Sequence, residues 1–313
     1  MPRSLTPTLR RLAAGLCLGV SALATPLVLR AQSTGAAEQA TLGGFVASVW
    51  DGIELEDGGR SIVVALTPAR RRAGQRFPLL IALHGLGETL RGADRGAWGW
   101  ALDYALPRGD EALRRGSLQP ADLEGLVTTD RLRTLNASLG RAAYEGVVVL
   151  LPFTPDVRGD LGGPAHRRFE RWLLGPVLAR ARRELPVRAG RESTGIDGVS
   201  LGGLHALWTG LAHPEVFGVV GAIQPAVRRR ASQVLARFSA GRGRPSQRIR
   251  LVTSTRDALR DDVLSLDRAM SAAGIDHEVR VLEGPHDYVF NRGPGSVEML
   301  LFHDRALRGL TAP

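Results

Sequence analysis

The stretch Gly198-Val199-Ser200-Leu201-Gly202 decides how this chain is read. It matches G-x-S-x-G, in which a sharp turn from strand to helix exposes the central serine Oγ at the top of a sheet. Glycine two residues before and two after the serine removes side chains that would collide in so tight a turn. The flanks agree. Ile196–Val199 reads as a strand leading into the turn, and Leu201–Leu211 reads as a helix leaving it, closed at His213-Pro214. A second reading of Ser200 stays open, that of a helix N-cap in a glycine-rich turn.

Outward from this point the same alternation repeats. Ser61–Leu66, Phe77–Leu83, Gly146–Leu151, Phe217–Ile223, Ile249–Thr253 and His277–Leu282 read as strands. Phe77–Leu83 and Gly146–Leu151 are nearly continuous apolar runs, as strands covered on both faces require. Helical spacing fills the gaps at Arg168–Leu185, Asp261–Ala273 and Val297–Leu307, and Gly175-Pro176 predicts a kink or break in the first. Strands alternating with helices predict an α/β fold with a doubly wound, mostly parallel sheet. One gap is too long for an ordinary crossover: about sixty residues separate Leu83 from Gly146. This helix-rich segment, about 88–145, reads as an insertion after the third main strand, forming a partial lid beside or above the site. The folded domain is expected over 45–313.

A serine hydroxyl is a weak nucleophile until a base takes its proton, and the base needs a partner that fixes its tautomer. In a fold of this type the order is serine, acid, histidine, each after a strand. Ser200 is followed by Asp257, just beyond Ile249–Thr253, and by His286, just beyond His277–Leu282. Asp261 and Asp262 compete with Asp257 but read as first-turn helix acids. Of seven histidines, only His286 lies past the last strand in a loop bearing Gly and Pro. The oxyanion of a tetrahedral intermediate needs backbone donors. Leu201, directly after the nucleophile, supplies one, and Leu86 in His84-Gly85-Leu86-Gly87 is expected to supply the other. Trp98, Trp100 and Tyr104 are candidates for a substrate pocket, with packing of the insertion as the alternative. Asn136-Ala137-Ser138 matches a glycosylation sequon within a helical stretch. No histidine pair has metal-ligand spacing and no glycine-rich phosphate loop appears, so no metal and no cofactor are expected.

The ends and the composition bound the setting. Arg3, Arg10 and Arg11 precede an apolar run from Leu12 to about Ala24, followed by small residues, which reads as a signal peptide over 1–31. A flexible linker is expected at 32–44. The destination is secreted or periplasmic, with no stable membrane insertion after cleavage. The single cysteine, Cys17, lies within that peptide, so no disulfide is expected in the mature chain. The net charge of +10 comes from 41 basic residues, all of them arginine, and loss of residues 1–31 reduces it to +6. The arginines alternate with acids, and aromatics make up only 5% of the chain, so stacking platforms for nucleic acid are not built.

Ser200, Asp257 and His286, together with Gly198–Leu207 (GVSLGGLHAL), His213–Gly218 (HPEVFG) and Gly284–Tyr288, resemble the α/β-hydrolase superfamily. Within it they are similar to the putative-esterase group, which includes esterase D-like and feruloyl-esterase-like enzymes. The resemblance implies a serine esterase acting through an acyl-enzyme on a small or polymer-linked ester. Gln224 stands where such proteins often carry serine, which marks it as a residue of the substrate-binding wall. Two other readings remain: an acyltransferase or peptidase of the same fold, and a non-catalytic binding protein built on it.

Overall fold

A computed structural model describes residues 31–32, 39–239 and 245–313. The expected signal peptide lies outside the described residues except for Ala31. Among the described residues, ten strands form one sheet: β1 (Ala31–Gln32), β2 (Gln39–Leu42), β3 (Phe45–Glu54), β4 (Arg60–Pro68), β5 (Leu79–Leu83), β6 (Val148–Pro152), β7 (Thr194–Gly198), β8 (Val219–Ile223), β9 (Arg248–Arg256) and β10 (Glu278–Pro285). Their order across the sheet is β1-β2-β3-β4-β6-β5-β7-β8-β9-β10. The block from β6 to β10 is parallel throughout, and β1 to β4 extend it with antiparallel pairings. This is the α/β architecture that the alternating pattern predicts.

The central strands are buried on both faces, which explains their unbroken apolar sequence. Side chains alternate between two cores. Leu80, Ala82, Val149 and Leu151 enter one, while Leu79, Ile81, Leu83, Val148 and Leu150 enter the other. Full burial of one such side chain is worth about 1.5–3 kcal/mol. The second core is closed by helices Pro164–Trp172, Leu178–Glu184, Leu201–Ala212 and Arg260–Ala272. The predicted break at Gly175-Pro176 is a π-helical turn over Leu173–Val177 that separates the first two. Pro176 has no N–H for the ladder, so the turn widens around it.

The first core corrects one expectation. The segment between β5 and β6 is not a lid set over the sheet. Leu106, Leu113, Leu135 and Leu139 from its helices Leu106–Arg114 and Thr129–Arg141 are buried with Val297, Leu300 and Leu301 of the C-terminal helix Ser296–Ala306. The segment is the helical layer on that face. Part of the expected linker is corrected too: Gln39–Leu42 pairs with Phe45–Ser48 across a tight turn at Gly43-Gly44. Its alternating Ala40 and Leu42 are buried, which a solvated linker does not provide. Strand β3 gave no clear sequence signal because Asp51-Gly52 interrupts its alternation, and the β3–β4 register shifts between Trp50 and Ile53. Among the described residues, no helix is long and apolar enough to cross a membrane.

Candidate active site

The carboxyl ends of β5, β7, β8, β9 and β10 meet along one edge, and the predicted residues lie there. After β7 the chain turns at Ser200, whose backbone (φ +57°, ψ −113°) is one that L-residues rarely adopt. Such a conformation costs of order 1–3 kcal/mol and persists only where its surroundings dictate it. Here the Val199 N–H donates to Leu83 O (3.1 Å) and the Ser200 N–H to Ile223 O (2.9 Å), pinning the turn to β5 and β8. A Cβ on Gly198 would lie 2.5 Å from the Gly202 backbone, and one on Gly202 would overlap Leu83 O. Ser200 opens the helix Leu201–Ala212, yet its side chain makes no capping hydrogen bond. The N-cap reading therefore lacks the bond that defines it.

The His286 Nδ1–H donates to Asp257 Oδ1 at 2.8 Å. Asp257 is held from two further directions: its Oδ1 accepts from the Leu259 N–H (2.8 Å) and its Oδ2 from Thr253 Oγ1 (2.8 Å). Burial by itself raises the Asp257 carboxyl, but the bonds from His286, Leu259 and Thr253 outweigh it and hold the group below the usual carboxylate value. The Asp257 side chain is fully buried, whereas that of His286 is 27% exposed. Asp261 and Asp262 belong to the first turn of the following helix, and Asp262 Oδ1 accepts from the Arg229 N–H at 3.3 Å.

Two other histidines pair with aspartate. His303 and Asp197 meet at 2.9 Å with no exposure, and His277 and Asp267 meet at 3.0 Å. His303 lies on the C-terminal helix, where it reaches the middle of β7, and His277 precedes β10. Neither stands at the edge where Ser200 turns. Buried His84 is held to about 4 by desolvation; it is engaged by Gly85 O and by the Thr154 N–H.

Leu86 and Leu201 are the first residues of helices Leu86–Thr89 and Leu201–Ala212, where N–H groups have no intrahelical acceptor. A Cβ on Gly85 would lie 3.7 Å from Ser200 Cβ, so the turn bearing Leu86 touches the serine. The expected wall residues are all buried. Gln224, at φ +44°, is fully buried, and its Nε2 donates to Ser254 Oγ (2.7 Å) and Pro285 O (2.9 Å). It braces the residue before His286. Trp98 and Trp100 are each 1% exposed within the first core, and Trp100 Nε1 donates to Leu83 O at 3.0 Å. They pack the layer beneath the edge. Asn136 is likewise occupied, bracing Leu118 through both its amide atoms at 2.7 and 3.0 Å.

Residues 123–289, more than half of the chain, match the family described as Putative esterase. The chain belongs to that family. It is a carboxylic ester hydrolase of the α/β-hydrolase superfamily. The matched span includes Ser200, Asp257 and His286. Solved structures with the same fold include a ferulic acid esterase (16% identity, TM-score 0.59, covering 83% of this esterase and 98% of that chain). The S-formylglutathione hydrolase of Staphylococcus aureus is similar at 13% identity and TM-score 0.54, covering 80% of this esterase and 96% of that chain. The enterobactin esterase of Shigella flexneri is similar at 18% identity and TM-score 0.52, covering 80% of this esterase and 58% of that chain. No curated protein matches the sequence. Thr253 and Gln224 fix the acid and the histidine loop, and no local pattern announces either role. Among the described residues, no group of three or more metal-binding side chains is present.

Proposed function

We propose that the esterase works through a Ser200–His286–Asp257 triad and a covalent acyl-enzyme. The observation that carries this reading is the 2.8 Å bond from His286 to a carboxylate at the edge where Ser200 is held in its strained turn. With Nδ1–H committed to Asp257, the remaining His286 nitrogen, Nε2, is the base. It accepts the Ser200 proton as Oγ bonds to the acyl carbon, and the carbonyl electron pair moves to oxygen. The Leu201 and Leu86 amides stabilise that oxyanion. The C–O bond to the alcohol then breaks, and His286 returns the proton to the departing oxygen. Water, deprotonated by His286, attacks the acyl-serine, and the carboxylic acid leaves as Ser200 recovers its proton.

The substrate is an ester, either small or attached to a polymer. Export to the periplasm or beyond is supported by the basic and apolar order of the first thirty-one residues. A fluorophosphonate probe tests the reading. Intact-mass analysis is expected to show one phosphonyl adduct on the wild type and none on Ser200→Ala. A folded wild type that is neither labelled nor able to hydrolyse 4-nitrophenyl esters would overturn it.

A further inference from the structure

The sequence Gly96-Ala97-Trp98-Gly99-Trp100 with Tyr104 has no part in the catalytic steps above, yet it surrounds one acid. Glu88, two residues after Leu86, is 1% exposed. A Cβ on Gly99 would lie 2.5 Å from Glu88 Cγ, and one on Gly96 would overlap Glu88 O. The two glycines therefore make the socket in which Glu88 sits. Inside it, Glu88 Oε2 accepts from the Tyr104 hydroxyl and Oε1 from the Tyr288 hydroxyl (2.7 Å).

Both hydroxyls are also acceptors. The Gly85 N–H donates to Tyr104 Oη at 3.2 Å, and Arg91 Nη2 donates to Tyr288 Oη at 2.9 Å while Arg91 pairs with Asp103 at 2.8 Å. Each phenol thus has one proton to give, and both give it to Glu88. A buried group that accepts two donors and offers none is a carboxylate, which no neutral side chain imitates fully. Burial first, then Glu88, pushes Tyr288 up to about 12 and Tyr104 well above its ordinary value, so both protons stay in place.

The three anchors come from three parts of the site. Gly85 and Glu88 flank the turn carrying the Leu86 amide, Tyr104 belongs to the helical layer, and Tyr288 follows His286 by two residues. Tyr288 also closes on the turn directly, since a Cβ on Gly87 would lie 2.7 Å from its hydroxyl. We propose that Glu88 is a positioning residue: its carboxylate, bridging Tyr104 and Tyr288, sets the spacing of the Leu86 amide from Ser200 and His286. The inference rests on the serine-esterase reading, because it assigns Glu88 an effect only on a step where an oxyanion forms. Errors of a fraction of an ångström there cost rate and leave ground-state binding nearly intact.

The test compares wild type, Glu88→Ala, Glu88→Gln and Tyr288→Phe, with 4-nitrophenyl acetate for kcat and KM and phenylboronic acid as a tetrahedral adduct former. Folded Glu88→Ala should lose about 10- to 100-fold in kcat, less than removal of an oxyanion donor itself, with KM within about threefold. Boronate affinity should fall in parallel. Glu88→Gln, which keeps one acceptor, should lose less, and Tyr288→Phe about 3- to 10-fold. If Glu88→Ala does not fold, Tyr288→Phe decides. Unchanged kcat and boronate affinity in a folded variant would overturn the positioning role while the labelled wild type keeps the esterase reading. A wild type unlabelled at Ser200 would instead overturn both.

Discussion

His286 Nδ1 stands 2.8 Å from Asp257 Oδ1, although 29 residues separate them, because β9 and β10 are parallel neighbours ending at the same edge. The register places Ser254 opposite Leu282 and Arg256 opposite Pro285, so the loops beyond them bring acid and imidazole together. Gln224 then ties Pro285 to β8, whose Ile223 carbonyl accepts from the Ser200 N–H.

Asp257→Asn replaces an acceptor by a group that can donate toward Nδ1, favouring the wrong imidazole tautomer. Turnover is expected to fall about 10³- to 10⁴-fold. Steady-state kinetics on the folded variant checks this, and unchanged kcat would move the acid role to another side chain.

Activity should decline in acid through a single protonation. Asp257 is held below the usual carboxylate value, so its carboxylate stays ionised and adds no second protonation. A plot of log(kcat/KM) against pH should therefore show an acid limb of slope about one. A slope of two above pH 4 would mean that the carboxylate titrates as well.

Gly202→Ala should fail to fold or lose about 3 kcal/mol or more, because the new methyl overlaps Leu83 O, part of the strand backbone. Urea unfolding measures this. A loss under about 1 kcal/mol would show that the turn and β5 separate readily.

Asp197 and His303, both fully buried, form a second acid–imidazole pair behind the elbow. Burial holds His303 below its ordinary value, so Asp197→Ala leaves a neutral ring N–H without its acceptor and should cost about 1–3 kcal/mol. The acid limb of activity should keep its slope and midpoint, in contrast to any change at Asp257. A shifted limb would assign this pair to catalysis.

Stability should start to fall well above the carboxylate range. Burial lowers His84 and His166 from the ordinary 6.5 to about 4, so between those values the unfolded chain binds protons that the folded chain refuses. Each histidine's contribution is complete above pH 6.5 and declines by about 1.4 kcal/mol per pH unit as pH falls toward 4. Urea midpoints at pH 7, 5.5 and 4.5 follow it, and His166→Asn should flatten the slope. Equal midpoints would mean both rings accept protons within the fold.

Much of the fold was legible because burial on both faces leaves an apolar run, as in Leu79–Leu83 and Val148–Pro152, and because the break at Gly175-Pro176 follows from proline chemistry. The roles of Gln224, Trp98 and Trp100 were not. Each has a side chain suited equally to a pocket or a core, and only neighbours distant in sequence decide between them. Strand β2 was hidden by a Gly-rich flank that reads as linker until its pairing with β3 is seen.

The chain by itself determined the order of the central strands and their helices, the turn at Ser200 and the short set of side chains able to do acyl chemistry, since these depend on local sterics and the period of burial. Only the tertiary structure decided that His286 takes Asp257 instead of Asp261, that the long crossover is a structural layer, and that Glu88 lies beneath the Leu86 turn. Those outcomes depend on parallel register and on packing between residues up to 200 positions apart, for which hydrogen-bond geometry, not local pattern, sets the partner.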